Sequence, residues 1–245
     1  MENRPRVEVC FTPNLYPLHM DDSEIVVVID VLRATSAICT AFHNGIEKVI
    51  PVSSVEEALS YKEKGYLVAA ERKGQVVPGF EFGNSPYSYM GKDLKDKTLV
   101  ITTTNGTKAF HTAKEAKQVV IGSLINLDAV CEFLLKQQKN VLLLASGWQN
   151  KFCLEDTICA GAIADQLINS GSFTSNQDSS IAAKYLYLSA KENYLGFLKS
   201  SSHRRRLKKL NLNEDIKYCL TPNKAPVIPI LNGNCLELVK EDVLL

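Results

Sequence analysis

An aspartate, Asp30, follows directly on the apolar run Ile25–Ile29. Arg33, Thr35 and Ser36 come next in the stretch DVLRATSA. A strand feeding a helix puts such residues at the strand's carboxyl end, where open α/β sheets bind their ligands. The free N–H groups and positive dipole end of the following helix suit an anion. Arg33 adds a planar guanidinium able to grip two phosphate oxygens, with Thr35 or Ser36 placed to cap the helix. A carboxylate there would repel a bare phosphate. Asp30 makes sense beside a bound cation or as a nucleophile, and the bland alternative is an N-cap with an Asp–Arg ion pair.

Other segments repeat this logic. Glu71 and Arg72 close the strand pattern YLVAAE, with Glu71 a candidate metal ligand or base and Arg72 a candidate anion clamp. The downstream segment GFEFGNSP, carrying Asn84 and Ser85, could fold over a small ligand. In TTTNGTKA the run Thr102–Thr104 meets Asn105, Gly106 and Thr107 at a helix start. Hydroxyls and free N–H groups suit an oxyanion there, and Gly106 permits close backbone approach. Glu155 and Asp156 open a helix, where acidic residues also simply favour the dipole. The small-residue run CAGAIA in that helix predicts close packing against the sheet.

Oxygen ligands without a His or Cys cluster suit Mg²⁺ better than zinc. Asp30, Glu71, Glu155 and Asp156 are the candidate Mg²⁺ ligands. A metal beside a phosphate clamp points to phosphoryl transfer. No G-x-x-x-x-G-K-[ST] motif occurs, and no G-x-G-x-x-G follows a strand, so P-loop and dinucleotide readings lose support. The basic run His203–Leu210 reads as a solvated helix face, and Trp148 as a packing residue.

The elements that must position these residues alternate. Strands are expected at RVEVCF, EIVVVID, KVIPV, YLVAAE, TLVITTT, QVVIGS and NVLLLASG. Helices are expected at SAICTAFHNG, SSVEEALSYKEKG, NGTKAFHTAKEA, LDAVCEFLLKQ and TICAGAIADQLINSG. This predicts a layered α/β/α fold with a largely parallel, at most mixed, central sheet. One long helix over SIAAKYLYLSAKENYLGFLKSS and a β-hairpin over PVIPILNGNCLELVK, turning at Asn232-Gly233, complete the chain. The 245 residues read as a single domain, with a subdivision near 170–180 the best candidate boundary.

A net charge of +1 gives no reason to expect nucleic acid or an anionic membrane as partner. The apolar runs are too short to span a bilayer, and MENRPRVEVCF lacks the apolar stretch of a secretory signal. Seven cysteines without a C-x-x-C pair read as reduced, buried thiols in a cytoplasmic protein.

The motifs DVLRAT, AAERKG, PGFEFGNSP, TTTNGT and LEDTICAG, in this order, resemble the 2-phosphosulfolactate phosphatase family. The resemblance spans Val26 to Gly161, with a weaker echo in LNEDIKYCL and VIP. It implies a Mg²⁺-dependent hydrolysis of 2-phosphosulfolactate to sulfolactate and phosphate. In methanogens that step belongs to coenzyme M biosynthesis, and sulfolactate metabolism is the bacterial expectation. Asp30, Arg33 and Glu71 are then the expected catalytic residues. Thr35, Ser36, Arg72, Asn84, Ser85, Thr104, Asn105, Gly106 and Thr107 are the expected substrate contacts. Either Asp30 or water activated by the metal attacks phosphorus. The competing readings are a phosphatase or lyase for another phosphorylated hydroxy acid, and a non-catalytic anion binder. The expected partner is a small anionic substrate, and a homodimer is left open.

Overall fold

The computed structural model describes residues 4–19 and 23–239. Residues 1–3 of the N-terminal segment and Lys240, the end of the expected hairpin, lie outside them. The structure is α/β, built on a large mixed sheet ordered β1-β8-β2-β7-β9-β10-β3-β6-β4-β5. One parallel half comprises β1 (Val7–Cys10), β8 (Val141–Ala145), β2 (Ile25–Ile29) and β7 (Gln118–Gly122). The other comprises β3 (Lys48–Pro51), β6 (Thr98–Thr102) and β4 (Leu67–Arg72), edged by the short antiparallel β5 (Gln75–Val76).

The hairpin β9 (Pro229–Asn232) and β10 (Cys235–Leu238) joins the halves. Its registered partners are a single pair on each side, Val120 with Ile230 and Leu236 with Val49, both antiparallel. Formally the two halves therefore run in opposite senses. Their carboxyl ends nevertheless converge on one cavity. The convergence is tight: a Cβ added to Gly106, just past β6, would stand 3.1 Å from Asp30 Oδ2.

Period-two alternation sorts the strands' side chains into layers. Ile25, Val27 and Ile29 of β2 face a core with α4 (Leu127–Gln137), α5 (Leu154–Asn169) and α6 (Asp178–Ala190). Val26 and Val28 point the other way, into a second core. There α1 (Ala34–His43) and α3 (Gly106–Ala113) meet Leu99 and Ile101 of β6. Val100 joins Val68, Ala70 and Ala58 of α2 (Val55–Lys62) beyond that. The helices that carry the site's loops are thus packed between the two half-sheets, which fixes both sets of strand ends against each other.

The expected elements up to residue 170 are present, and α2 is capped as its sequence predicts, the Glu57 N–H donating to Ser54 Oγ at 3.0 Å. Differences lie elsewhere. The expected long C-terminal helix breaks into α6, the short α7 (Tyr194–Phe197) and a 3-10 turn. Asn193 interrupts it: its side chain accepts from the Gly196 N–H and starts a new helix. Two more helices follow, α8 (Ser202–Lys209) and α9 (Asn213–Cys219). The β4–β5 hairpin was not expected. It turns on Lys73 and Gly74, both at positive φ, as a two-residue hairpin loop requires. The small residues of α5 serve helix–helix contact as well as the sheet, since a Cβ at Gly161 would lie 2.0 Å from the Ala183 carbonyl oxygen of α6. Among the described residues no helix is long and apolar enough to cross a membrane.

Candidate active site

A cavity of about 340 Å³ opens where the two sets of strand ends converge. Its walls include Asp30 and Arg33 after β2, Glu71, Lys73 and Gly74 at the β4–β5 turn, Asn84, Thr104 and Asn105. Trp148, Gln149 and the α8 side chains His203, Arg206 and Leu207 close the far side.

Asp30 is buried, and its Oδ1 accepts weakly from the Ala34 N–H at 3.4 Å. Burial above all pushes its carboxyl up to about 6, with the charges of Glu71 and Glu155 adding to the effect and His203 opposing it. Glu155 accepts a 2.6 Å hydrogen bond at Oε1 from His203 Nδ1, while its Oε2 is buried without a partner. Burial alone would raise Glu155, but the hydrogen bond and charge of His203 outweigh it and hold the carboxyl below its ordinary value. This carboxylate–imidazole pair leaves the other ring nitrogen of His203 available to the cavity it lines.

Asp156 plays a different part. Its Oδ1 accepts from the Val31 N–H at 2.8 Å and its Oδ2 from the Gly147 N–H at 3.0 Å. It ties the loop after β2 to the loop after β8. Burial, then the charges of Asp30 and Glu155, push its carboxyl well up.

Glu71 sits in a ring of donors. The Gly74 N–H and the Asn84 amide donate to it, as do the N–H and hydroxyl of Thr104, the last three at 3.2–3.4 Å. The β4–β5 turn supplies one of these donors, the Gly74 N–H. Asn84 Oδ1 is buried and has no partner. Arg33 is buried too, its Nη1 donating to Asp215 at 2.7 Å and its Nη2 to the Gly74 carbonyl at 2.8 Å. The ion-pair partner of Arg33 is therefore Asp215, at the start of α9, rather than Asp30.

Several expected contacts turn away from the cavity. Thr35 is fully buried, and its hydroxyl donates to the Asp30 carbonyl and accepts from the Asp30 N–H. Ser36 donates to the Val31 carbonyl or shares its hydroxyl with Ser123. Both close the strand-to-helix turn from inside α1, whose N-cap is Arg33. Arg72 is held by the Glu71 carbonyl and the Thr102 hydroxyl. Thr107 accepts from the Thr103 N–H and does not line the cavity. Ser85 stands outside the cavity wall, at the start of the 3-10 turn Pro86–Tyr89. Gly106 gives its close approach to Ala34 and Asp30, its missing Cβ leaving room for those side chains. Glu155 and Asp156 do not join Asp30 and Glu71 in one ligand set. Among the described residues no three His, Cys, Asp or Glu side chains group as a metal-holding cluster, and amides and His203 occupy three of the four oxygens of Glu155 and Asp156.

The sequence reading missed His203, Arg206 and Asp215. The first two belong to a basic run whose charge alone reads as a solvated face. Their spacing with Leu207 and Leu210 is that of one helical stripe, which was the available signal. Trp148 lines the cavity with the Arg206 guanidinium over its ring, 3.8 Å from the centroid, so it does more than pack.

The sequence profile of the family described as 2-phosphosulpholactate phosphatase matches residues 10–234. The chain belongs to this family. Curated relatives carry the name "Probable 2-phosphosulfolactate phosphatase". One from Caldanaerobacter subterraneus subsp. tengcongensis is 41% identical over 212 residues, covering 85% of this chain and 88% of the relative. One from Synechocystis sp. is 41% identical over 229 residues, covering 90% and 94%. One from Clostridium novyi is 38% identical over 210 residues, covering 84% and 88%. Every cavity residue named above, from Asp30 in the loop after β2 to Leu207 on α8, lies inside the span matched by the 2-phosphosulpholactate phosphatase family.

Proposed function

We propose that this chain is a Mg²⁺-dependent phosphomonoesterase that hydrolyses 2-phosphosulfolactate to sulfolactate and inorganic phosphate. Beside the family relationship, the observation that carries the reading is the meeting of Asp30, Glu71 and His203 on one cavity that also holds cationic side chains. A pure anion binder has no use for two carboxylates there.

The donors that fit the cation are the Asp30 and Glu71 carboxylates and the orphaned Oδ1 of Asn84. They are hard oxygen ligands, and Mg²⁺ commonly takes one or two carboxylates with the substrate phosphate and water completing its shell. When bound, the ion would supply charge neutralisation on the phosphoryl oxygens. Asp215 fixes the Arg33 guanidinium at the cavity wall, where its charge favours the phosphoryl group. The Glu155-held imidazole of His203 is placed to give a proton to the departing alkoxide oxygen as the P–O bond breaks. Phosphorus is attacked either by water, which leaves one proton on phosphate and releases the other to solvent, or by the Asp30 carboxylate, forming an acyl phosphate that water then opens with the same release, and solvent restores the proton that His203 gave up. The same dyad would serve a lyase, and the family relationship favours the phosphatase.

The test is phosphate release from 2-phosphosulfolactate with Mg²⁺ and with EDTA, for wild type, Asp30→Asn and His203→Gln. Turnover that needs Mg²⁺ and collapses in Asp30→Asn is the expected result. Equal release in EDTA, or an active Asp30→Asn, overturns the reading. Quenching during turnover separates the two routes, since a trapped phospho-aspartate requires the covalent one.

A further inference from the structure

A substrate with a phosphate, a carboxylate and a sulfonate needs more than one cationic contact, and the cavity's cations are not equivalent. Arg33 is committed to Asp215 and the Gly74 carbonyl. Lys73 sits at an exposed turn. Arg206 differs from both. Its guanidinium carbon stands over the Trp148 ring, 3.8 Å from the centroid, and its Nη2 is buried with no hydrogen-bond partner. A buried N–H of a charged group left unpaired is costly, and a ligand oxygen would remove that cost.

We propose that Arg206, held on Trp148, is the specificity-determining contact for the sulfonate of the substrate. This rests on the phosphatase reading above. The surroundings favour a sulfonate over a carboxylate. Guanidinium is weakly hydrated, and the neighbouring wall is Trp148, Leu207 and Leu210. A bulky anion with its charge spread over three oxygens loses less water there than a compact carboxylate does. The harder groups are left for the side of the cavity that carries Asp30, Glu71 and Asn84. Helix α8 thus reads the part of the substrate that does not react, while the strand ends handle the part that does.

The experiment compares 2-phosphosulfolactate with 2-phospholactate, which keeps the phosphate and carboxylate and lacks the sulfonate. The proteins are wild type, Arg206→Gln and Arg206→Lys. Losing a charge-assisted contact should lower kcat/KM for the sulfonated substrate about tenfold to a hundredfold more than for 2-phospholactate, mainly through KM. Lysine, which keeps the charge without the planar guanidinium, should fall between. Equal losses on both substrates overturn the proposal and leave the phosphatase reading standing. A wild type inactive on both substrates overturns that reading, and Arg206 is then judged by binding alone. Trp148 is the only tryptophan in the chain, so its fluorescence reports sulfolactate titration directly. Weaker sulfolactate binding in Arg206→Gln supports the assignment. Unchanged affinity, or no binding to wild type, overturns it.

Discussion

Asp30→Asn should make the metal-free protein more stable while abolishing its activity. The carboxyl of Asp30 is raised from 3.8 to about 6 by burial first and by neighbouring carboxylates. A raised acid holds its proton in the native state over a range where the unfolded chain has lost it. Stability therefore falls as pH rises from about 4 to about 6, and the loss is complete above that. A shift of about two units at 1.36 kcal/mol each is a penalty of roughly 3 kcal/mol at pH 8. Asparagine is nearly isosteric, keeps an oxygen for the Ala34 N–H, and carries no charge. In EDTA at pH 8 the variant should gain up to about 3 kcal/mol in urea unfolding, or roughly 6 °C in Tm for a chain of this size. At pH 4 the gain should vanish. Adding Mg²⁺ should then stabilise wild type and leave the variant nearly unmoved. A variant equally shifted at both pH values, or destabilised at pH 8, refutes the argument that Asp30 is strained by its burial.

Other outcomes follow from the same structure. Asp215→Ala leaves Arg33 buried with half its partners gone and should cost about 3–5 kcal/mol, read by urea unfolding. Gly161→Ala drives a Cβ into the Ala183 carbonyl and should destabilise by about 2–4 kcal/mol, whereas Gly171→Ala meets no neighbouring atoms and costs only its positive-φ strain. His203→Gln should cut kcat about 10²–10⁴-fold on 2-phosphosulfolactate and far less on an aryl phosphate whose acidic phenol leaves unaided; equal losses would remove His203 from proton transfer.

The strand ends were legible because apolar runs broken by Asp30, Glu71 or Thr102 state both the element and its edge. What the side chains do at those edges was less so. Thr35, Ser36 and Thr107 carry hydroxyls that would suit a ligand, yet the tight strand-to-helix turns leave backbone groups that must be paired, and these claim them first. In α8 the charge of the run masked its geometry: one stripe faces the cavity while Arg205, Lys208 and Lys209 remain exposed. Asp215 lies 182 positions from Arg33, and no local pattern announces such a pairing. The two-residue turn at Lys73 was hidden because lysine is a poor herald of positive φ.

Every cavity residue precedes the β9–β10 hairpin, yet that hairpin is the clasp between the half-sheets. A polypeptide emerging from the ribosome would carry Asp30, Glu71 and His203 for many residues of synthesis before Pro229–Leu238 could appear. At some 5–20 residues per second, the two halves wait seconds for the segment that fixes their angle. Catalytic competence is thus withheld from the growing chain until Pro229–Leu238 is made, although none of those residues lines the cavity.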